Sequence, residues 1–162
     1  VSNILDYLSY AYLIRILPPY FTNAKKRVVK SPKVYIRDSG MLHHLLSVTQ
    51  FKALLANPKA GFSWEAYVIE QVIHHYGDEK SFYYYRTQGG TEADLVIAHY
   101  NKPTHIVEVK MSNYPTITKS LHNSMQDLGI KNASIIIPGN AISYLLEKGV
   151  KVCSLDMFLH KK

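Results

Sequence analysis

The order in which helical and strand-like stretches follow one another predicts an α/β fold, a mixed central sheet flanked by helices. Three observations carry this. Between residues 62 and 155 the chain reads helix, three strands, helix, strand. The three strand candidates, Ser81 to Arg86, Glu92 to Ala98 and Thr104 to Met111, are separated by Gly89-Gly90 and by Asn101-Lys102-Pro103, which suits an antiparallel meander. A chain of 162 residues, 47% hydrophobic and 19% charged, buries one ordinary core and leaves room for a short appendage.

The appendage comes first. Val1 to Tyr12 sets Val1, Ile4, Leu5, Leu8 and Tyr12 on one helical face. No initiator Met or capping residue precedes it, so the chain reads as a piece of something longer. Leu17-Pro18-Pro19-Tyr20 interrupts the periodicity, a basic turn follows, and Lys33-Val34-Tyr35-Ile36-Arg37 alternates as a strand does: a helix followed by a hairpin. Asp38 is placed to cap a helix from Ser39 to Ser47, with Met41, Leu42, Leu45 and Leu46 on its apolar side. After the loop Asn57 to Gly61, Ser63 is placed to cap a third helix, with Phe62 and Tyr67 as its hydrophobic staple. In helical steps from Glu65, the residues Val68, Ile69, Val72, Ile73 and Tyr76 form one stripe, so an acid opens the face directed at the core. Glu65 either complements the helix dipole or looks onto a functional site. Beyond the meander, Ile117, Leu121, Met125 and Leu128 mark a helix ended by Gly129, and Ala133 to Ile137 is an apolar strand before Pro138-Gly139. Ala141 to Lys148, ended by Gly149, reads as a last helix, and Val150 to Leu155 as a last strand before a short tail.

The formal charge of +7 is unevenly placed: residues 1–37 hold seven Lys/Arg against Asp6 alone, while residues 38–162 hold twelve against eleven acids. Lys25, Lys26, Arg27, Lys30 and Lys33 crowd one segment, which is either a solvated loop or a surface for a phosphate backbone. No apolar run approaches the ~20 residues that cross a bilayer, and no secretion signal opens the chain. One cysteine, Cys153, sits among Val152, Leu155 and Phe158; it excludes an internal disulfide and reads as a buried thiol, so the cytoplasm is the expected compartment. The eight histidines form no zinc pattern, no G-x-S-x-G elbow occurs, and the thirteen tyrosines are read as packing residues.

The chemistry lies in the meander. Period two puts Glu108 and Lys110 on one strand face and Val107 and Val109 on the other. In the preceding strand Glu92, Asp94 and Val96 share a face, with Ala93, Leu95 and Ile97 opposite, and the connecting turn lets Asp94 and Glu108 become neighbours. Charges amid such apolar strands must be paired or bound to a cation. An isolated E-x-K tripeptide is more often a plain ion pair. The combination with Asp94 upstream and Glu65 on the core face of a helix suits a divalent site. Asp94 and Glu108 are hard oxygen ligands for Mg²⁺ or Mn²⁺, and a backbone carbonyl near Val109 plus waters would complete octahedral coordination. Lys110 is placed to orient the attacking water or stabilise transition-state charge, and Glu65 to hold a water of the ion. Arg86 and Ser112 are candidates for the substrate phosphate, though Arg86 equally suits a pair with Glu92.

Over residues 62 to 155 this arrangement resembles the restriction-endonuclease-like αβββαβ core of the PD-(D/E)XK nuclease superfamily, in which acids hold magnesium and a lysine serves the attacking water. A closer resemblance uses Tyr7-Leu8, Leu13-Ile14, Leu17-Pro18-Pro19-Tyr20, Pro32 to Gly40, Trp64-Glu65, Arg86, Gly90 to Asp94 and Val107 to Lys110. These residues are similar to the C-terminal domain of prokaryotic AAA-type ATPases. The resemblance implies a partial winged-helix-like segment over 1–37 and a nuclease-like domain over 38–162. It also implies nucleic acid, DNA foremost, as partner, and an ATPase upstream. No G-x-x-x-x-G-K-[ST] occurs, so ATP would enter only through that upstream domain.

Overall fold

Period-two apolar runs pair into a central sheet, and helices with apolar stripes cover both of its faces. The computed structural model describes residues 2–21 and 27–160. The chain runs α1 (Ser2–Tyr10), β1 (Ile14–Leu17), β2 (Lys33–Ile36), α2 (Ser39–Leu45), α3 (Phe51–Ala56), α4 (Ala60–Tyr76), β3 (Ser81–Arg86), β4 (Glu92–His99) and β5 (Lys102–Val109). It continues through α5 (Lys119–Leu128), β6 (Ala133–Ile137), β7 (Ser143–Glu147), β8 (Val150–Ser154) and α6 (Leu155–Leu159). The six-stranded sheet has the order β3-β4-β5-β6-β8-β7. The meander is antiparallel, β6 runs parallel to β5 and β8 parallel to β6, and β7 closes the edge antiparallel. The fold is therefore α/β with a mixed sheet, and α4 to β6 supplies the αβββαβ order.

Helix α4 covers one face, where Ala66, Val68, Ile69 and Val72 meet Leu95, Ile97, Val107, Val109, Ile136 and Phe158. On the other face, Leu121 and Leu128 of α5 meet Val96, Ile106, Ile135 and Val152. Thr118 caps α5 by accepting Leu121 N–H, and Gly129 ends it with left-handed backbone. Asp38 caps α2 through Met41 N–H. The β1–β2 hairpin forms its own two-stranded sheet and lays Leu17 and Tyr35 into the α4-side core. Glu70 of α4 fastens it, accepting from Arg15 at 2.9 and 3.0 Å and from Arg37 at 2.6 Å. The segment from Arg27 onward lies along the outer edge of β3: Val28 bridges Thr87, and Val29 N–H donates to the Arg86 carbonyl. No helix among the described residues is long and apolar enough to cross a membrane.

Several boundaries differ from the sequence reading. Ala141 to Lys148 is no helix. Residues Ser143–Glu147 form β7, because pairing with β8 overrides local propensity and Ala141 sits at φ 56°, outside helical space. The hairpin turns on Gly149 at φ +87°, where a Cβ would meet the Lys131 carbonyl oxygen at 2.2 Å. The short tail is α6, which buries Phe158. Helix α4 begins at Ala60, so Ser63 lies inside it rather than capping it; its buried hydroxyl bonds His43 Nε2 at 2.7 Å. Phe62 stacks on Tyr35 and Tyr67 on Trp64, not on each other as a staple. Helix α3 occupies a stretch the periodicity left unassigned.

Candidate functional site

The ladder between β4 and β5 runs from His99↔Lys102 to Leu95↔Val107. One residue further, Asp94 Oδ2 accepts the Val109 N–H at 2.9 Å, so a carboxylate replaces the next backbone rung. A bulge makes this possible. Tyr85 pairs with Ala93 while Tyr83 pairs with Val96, so Tyr84 opposes two residues, Asp94 and Leu95. The strict alternation expected of β4 therefore fails: Ala93 and Val96 join the α5-side core, whereas Leu95 joins the α4-side core. A bulge re-aims a side chain in this way, here that of Asp94.

Around the fork gather three more carboxylates. Glu108, 5% exposed, stands beside Lys110, whose Nζ lies 2.7 Å from Oε1. Glu65 of α4 accepts the Tyr35 hydroxyl at 2.6 Å and the Lys33 ammonium at 3.2 Å. Lys33 Nζ also reaches Glu92 Oε1 at 2.7 Å and Asp94 Oδ1 at 3.9 Å. Four carboxylates thus share two ammonium groups and, at the rim, the Arg86 guanidinium 3.6 Å from Glu92, a formal surplus of one negative charge when all are ionised.

The acids respond to that surplus. Burial, followed by the neighbouring Glu108 and Glu65 carboxylates, pushes Asp94 up to about 8 against the pull of Val109 N–H and Lys33. Burial also raises Glu108, opposed by Lys110. For both lysines burial alone would lower the ammonium, yet the surrounding carboxylates outweigh it and hold each above its ordinary value. The Tyr35 phenol is driven up by burial and by Glu65, so it is a donor at any physiological pH.

Every acid in the cluster is a hard oxygen donor of the type that suits Mg²⁺ or Mn²⁺, and the Lys33 ammonium already acts as a cation among three of them. Among the described residues, however, no group of three or more His, Cys, Asp or Glu side chains is arranged to hold a metal ion. The lysines, not a convergent ligand shell, neutralise the acids in this arrangement. A cavity of about 620 Å³, lined by Trp64, Tyr67, Gln71, Asn140 and Asp156 among others, shares no lining residue with the cluster.

The structure brings Glu65, Asp94, Glu108 and Lys110 near one another. Val109 touches the site through its amide rather than its carbonyl. Arg86 is 53% exposed in its side chain and lies 3.6 Å from Glu92, the pairing alternative. Ser112 is exposed and accepts the Tyr114 N–H. Arg27 and Lys30 are exposed on the β3 edge, while Lys25 and Lys26 fall outside the described residues. Lys33 is not part of an open basic surface but turns inward. Sequence reasoning missed Lys33, Tyr35 and Glu92 as members of the cluster. A signal existed: Lys33 and Tyr35 share one face of β2, an ammonium and a phenol aimed the same way.

Two family models and two relatives match this chain. The model of a domain of unknown function (DUF4143) matches residues 60–158, and that of another (DUF8612) matches residues 1–52. An uncharacterized protein of Mycobacterium tuberculosis and one of Mycobacterium bovis are each 40% identical over 135 residues, 83% of this chain. The matched stretch spans 30% of the length of those relatives. No solved structure gives a significant match. With well over half of its residues matched, from the start of α4 to α6, the chain belongs to the DUF4143 family of domains of unknown function.

Proposed function

We propose that this chain is the nuclease-like C-terminal domain of an AAA-type ATPase, and that its Asp94–Glu108–Lys110 cluster hydrolyses nucleic-acid phosphodiesters, DNA foremost, with Mg²⁺ or Mn²⁺ as cofactor. Domains of this family are often found at the C-terminus of AAA ATPases. The observation that carries the reading is the fork itself: two buried carboxylates from adjacent strands, both raised in pKa, with a lysine ammonium in contact. When bound, the divalent ion supplies Lewis acidity toward phosphate and water. The chain's own residues do the rest. The Val109 amide fixes the orientation of Asp94. Tyr35 holds Glu65 by a donated hydrogen bond. Lys110, in contact with Glu108 at 2.7 Å and with its side chain 35% exposed, would offer its ammonium to charge developing on the phosphate.

The test is cleavage of labelled DNA and RNA with Mg²⁺ or Mn²⁺, with and without EDTA. Asp94→Ala and Lys110→Ala should each lower the metal-dependent rate by about 100-fold or more. Undiminished cutting by either variant would remove that residue from the chemistry. A second reading, a binding module without turnover, draws on the lysines that already neutralise the acids. Salt-sensitive nucleic-acid binding with no cutting by any form would favour it.

A further inference from the structure

Lys33 is the least expected member of the cluster, and its position is fixed from both sides. After it, β2 pairs with β1, with Leu17 opposite Lys33. Before it, residues from Arg27 onward are strapped to the outer edge of β3. Gln88 N–H donates to the Arg27 carbonyl, Val29 N–H donates to the Arg86 carbonyl, and the Tyr84 hydroxyl donates to the Ser31 carbonyl. The ammonium lies 5.5 Å from the Tyr84 ring centroid and contacts Glu92, Glu65 and Asp94. These contacts come from α4 and β4, so one tethered charge serves carboxylates from two elements.

We propose that Lys33 is an internal cation that occupies the acid cluster in place of a divalent ion, and that the strap carrying it withdraws before such an ion binds. The proposal rests on the reading of Asp94 and Glu108 as the metal-holding pair. Its physical basis is mutual exclusion. A divalent ion held at about 2 Å from Asp94 would face the ammonium, 3.9 Å from the same carboxylate, as a like charge in a partly dehydrated setting. One cation displaces the other. Without Lys33, four carboxylates would face Lys110 and the rim guanidinium of Arg86, and the surplus drawing a divalent ion would rise from one charge to two. The strap's backbone bonds run along the outer sheet edge, and opening them costs the packing of Val28 on the α5-side core and the acceptor of the buried Tyr84 hydroxyl. The N-terminal hairpin thereby becomes the element through which access to the site is regulated.

The measurement is Mn²⁺ binding to the full chain, followed by the loss of the free-ion electron paramagnetic resonance signal, for wild type and Lys33→Met. The methionine keeps an apolar stem over Tyr84 and removes the charge. The variant should bind Mn²⁺ about tenfold more tightly, and adding Asp94→Asn should abolish the gain. Equal or weaker binding by Lys33→Met, with wild-type binding still dependent on Asp94, overturns the exclusion while leaving the metal reading intact. No binding by either folded protein up to millimolar Mn²⁺ overturns both. Hydrogen exchange on the wild type needs no variant: amides of Val29 and Gln88 should lose protection as Mn²⁺ saturates. Unchanged protection at saturation refutes withdrawal of the strap.

Discussion

Helix α4 meets the N-terminal hairpin through two acids, Glu70 and Glu65, and the two meetings are balanced in opposite ways. Glu70 is one carboxylate between two guanidiniums, those of Arg15 and Arg37. Burial would raise it, yet the arginines outweigh burial and hold it below the usual carboxylate range. Glu65 belongs to a group in which acids outnumber cations, and there Asp94 and Glu108 are held above that range. The first arrangement is electrostatically saturated and acts as a clamp. The second holds carboxyls whose ionised forms are disfavoured by burial and by one another, which packing alone would not retain.

The strongest way to break this contrast is Glu70→Ala. The substitution leaves two half-buried guanidiniums facing each other without their acceptor, so urea denaturation should report a loss of about 2–3 kcal/mol. A loss below about 0.5 kcal/mol would class the group with ordinary surface pairs and dissolve the distinction.

Asp94→Asn should act in the other direction, with a smaller gain of about 1 kcal/mol in mildly alkaline solution. The sign follows from the shift. Folding raises Asp94 from 3.8 to about 8, so between those limits the folded chain binds more protons than the unfolded one and stability falls as pH rises. Asparagine cannot ionise, so the advantage of the variant should be absent in acid, grow as pH climbs toward about 8 and level off above it. Glu70 has the opposite profile: its contribution is present above the ordinary carboxylate range and is lost as pH falls through its lowered value. Thermal melts across pH that show the same trend for Asp94→Asn and Glu70→Gln would contradict the two-cluster picture.

How much of this was legible depends on the range over which each signal acts. The meander, α4 and α5 follow from local apolar periodicity, because the apolar positions of each of those elements are the ones that meet a core. Strand β7 is exposed along its whole length, so no alternation marks it, and only pairing with β8 makes it a strand. In the cluster, Glu108 and Lys110 are two residues apart and period two alone brings them together. Asp94 required the turn between β4 and β5, while the bulge that aims it leaves no mark in composition. Lys33 and Tyr35 reach Glu65 across 32 and 30 residues, a separation at which sequence pattern carries no distance information.

The smallest expected effect concerns the rim of the acid cluster. Arg86 is half exposed and stands 3.6 Å from Glu92, which keeps a closer partner in Lys33 at 2.7 Å. Arg86→Ala should therefore change stability by less than about 0.5 kcal/mol, because Glu92 remains neutralised and an exposed guanidinium returns no desolvation. Nucleic-acid affinity separates its two possible duties. Should Arg86 contact a phosphate, the variant's plot of log affinity against log salt would be shallower by about one, and binding would weaken alike for every sequence tried. Fluorescence anisotropy of a labelled duplex over a salt series measures that slope. An unchanged slope would leave Arg86 as an outer member of the acid cluster's ion pairs. Any backbone contact would then fall to the exposed Arg27 and Lys30 of the strap, next to the inward-turned Lys33.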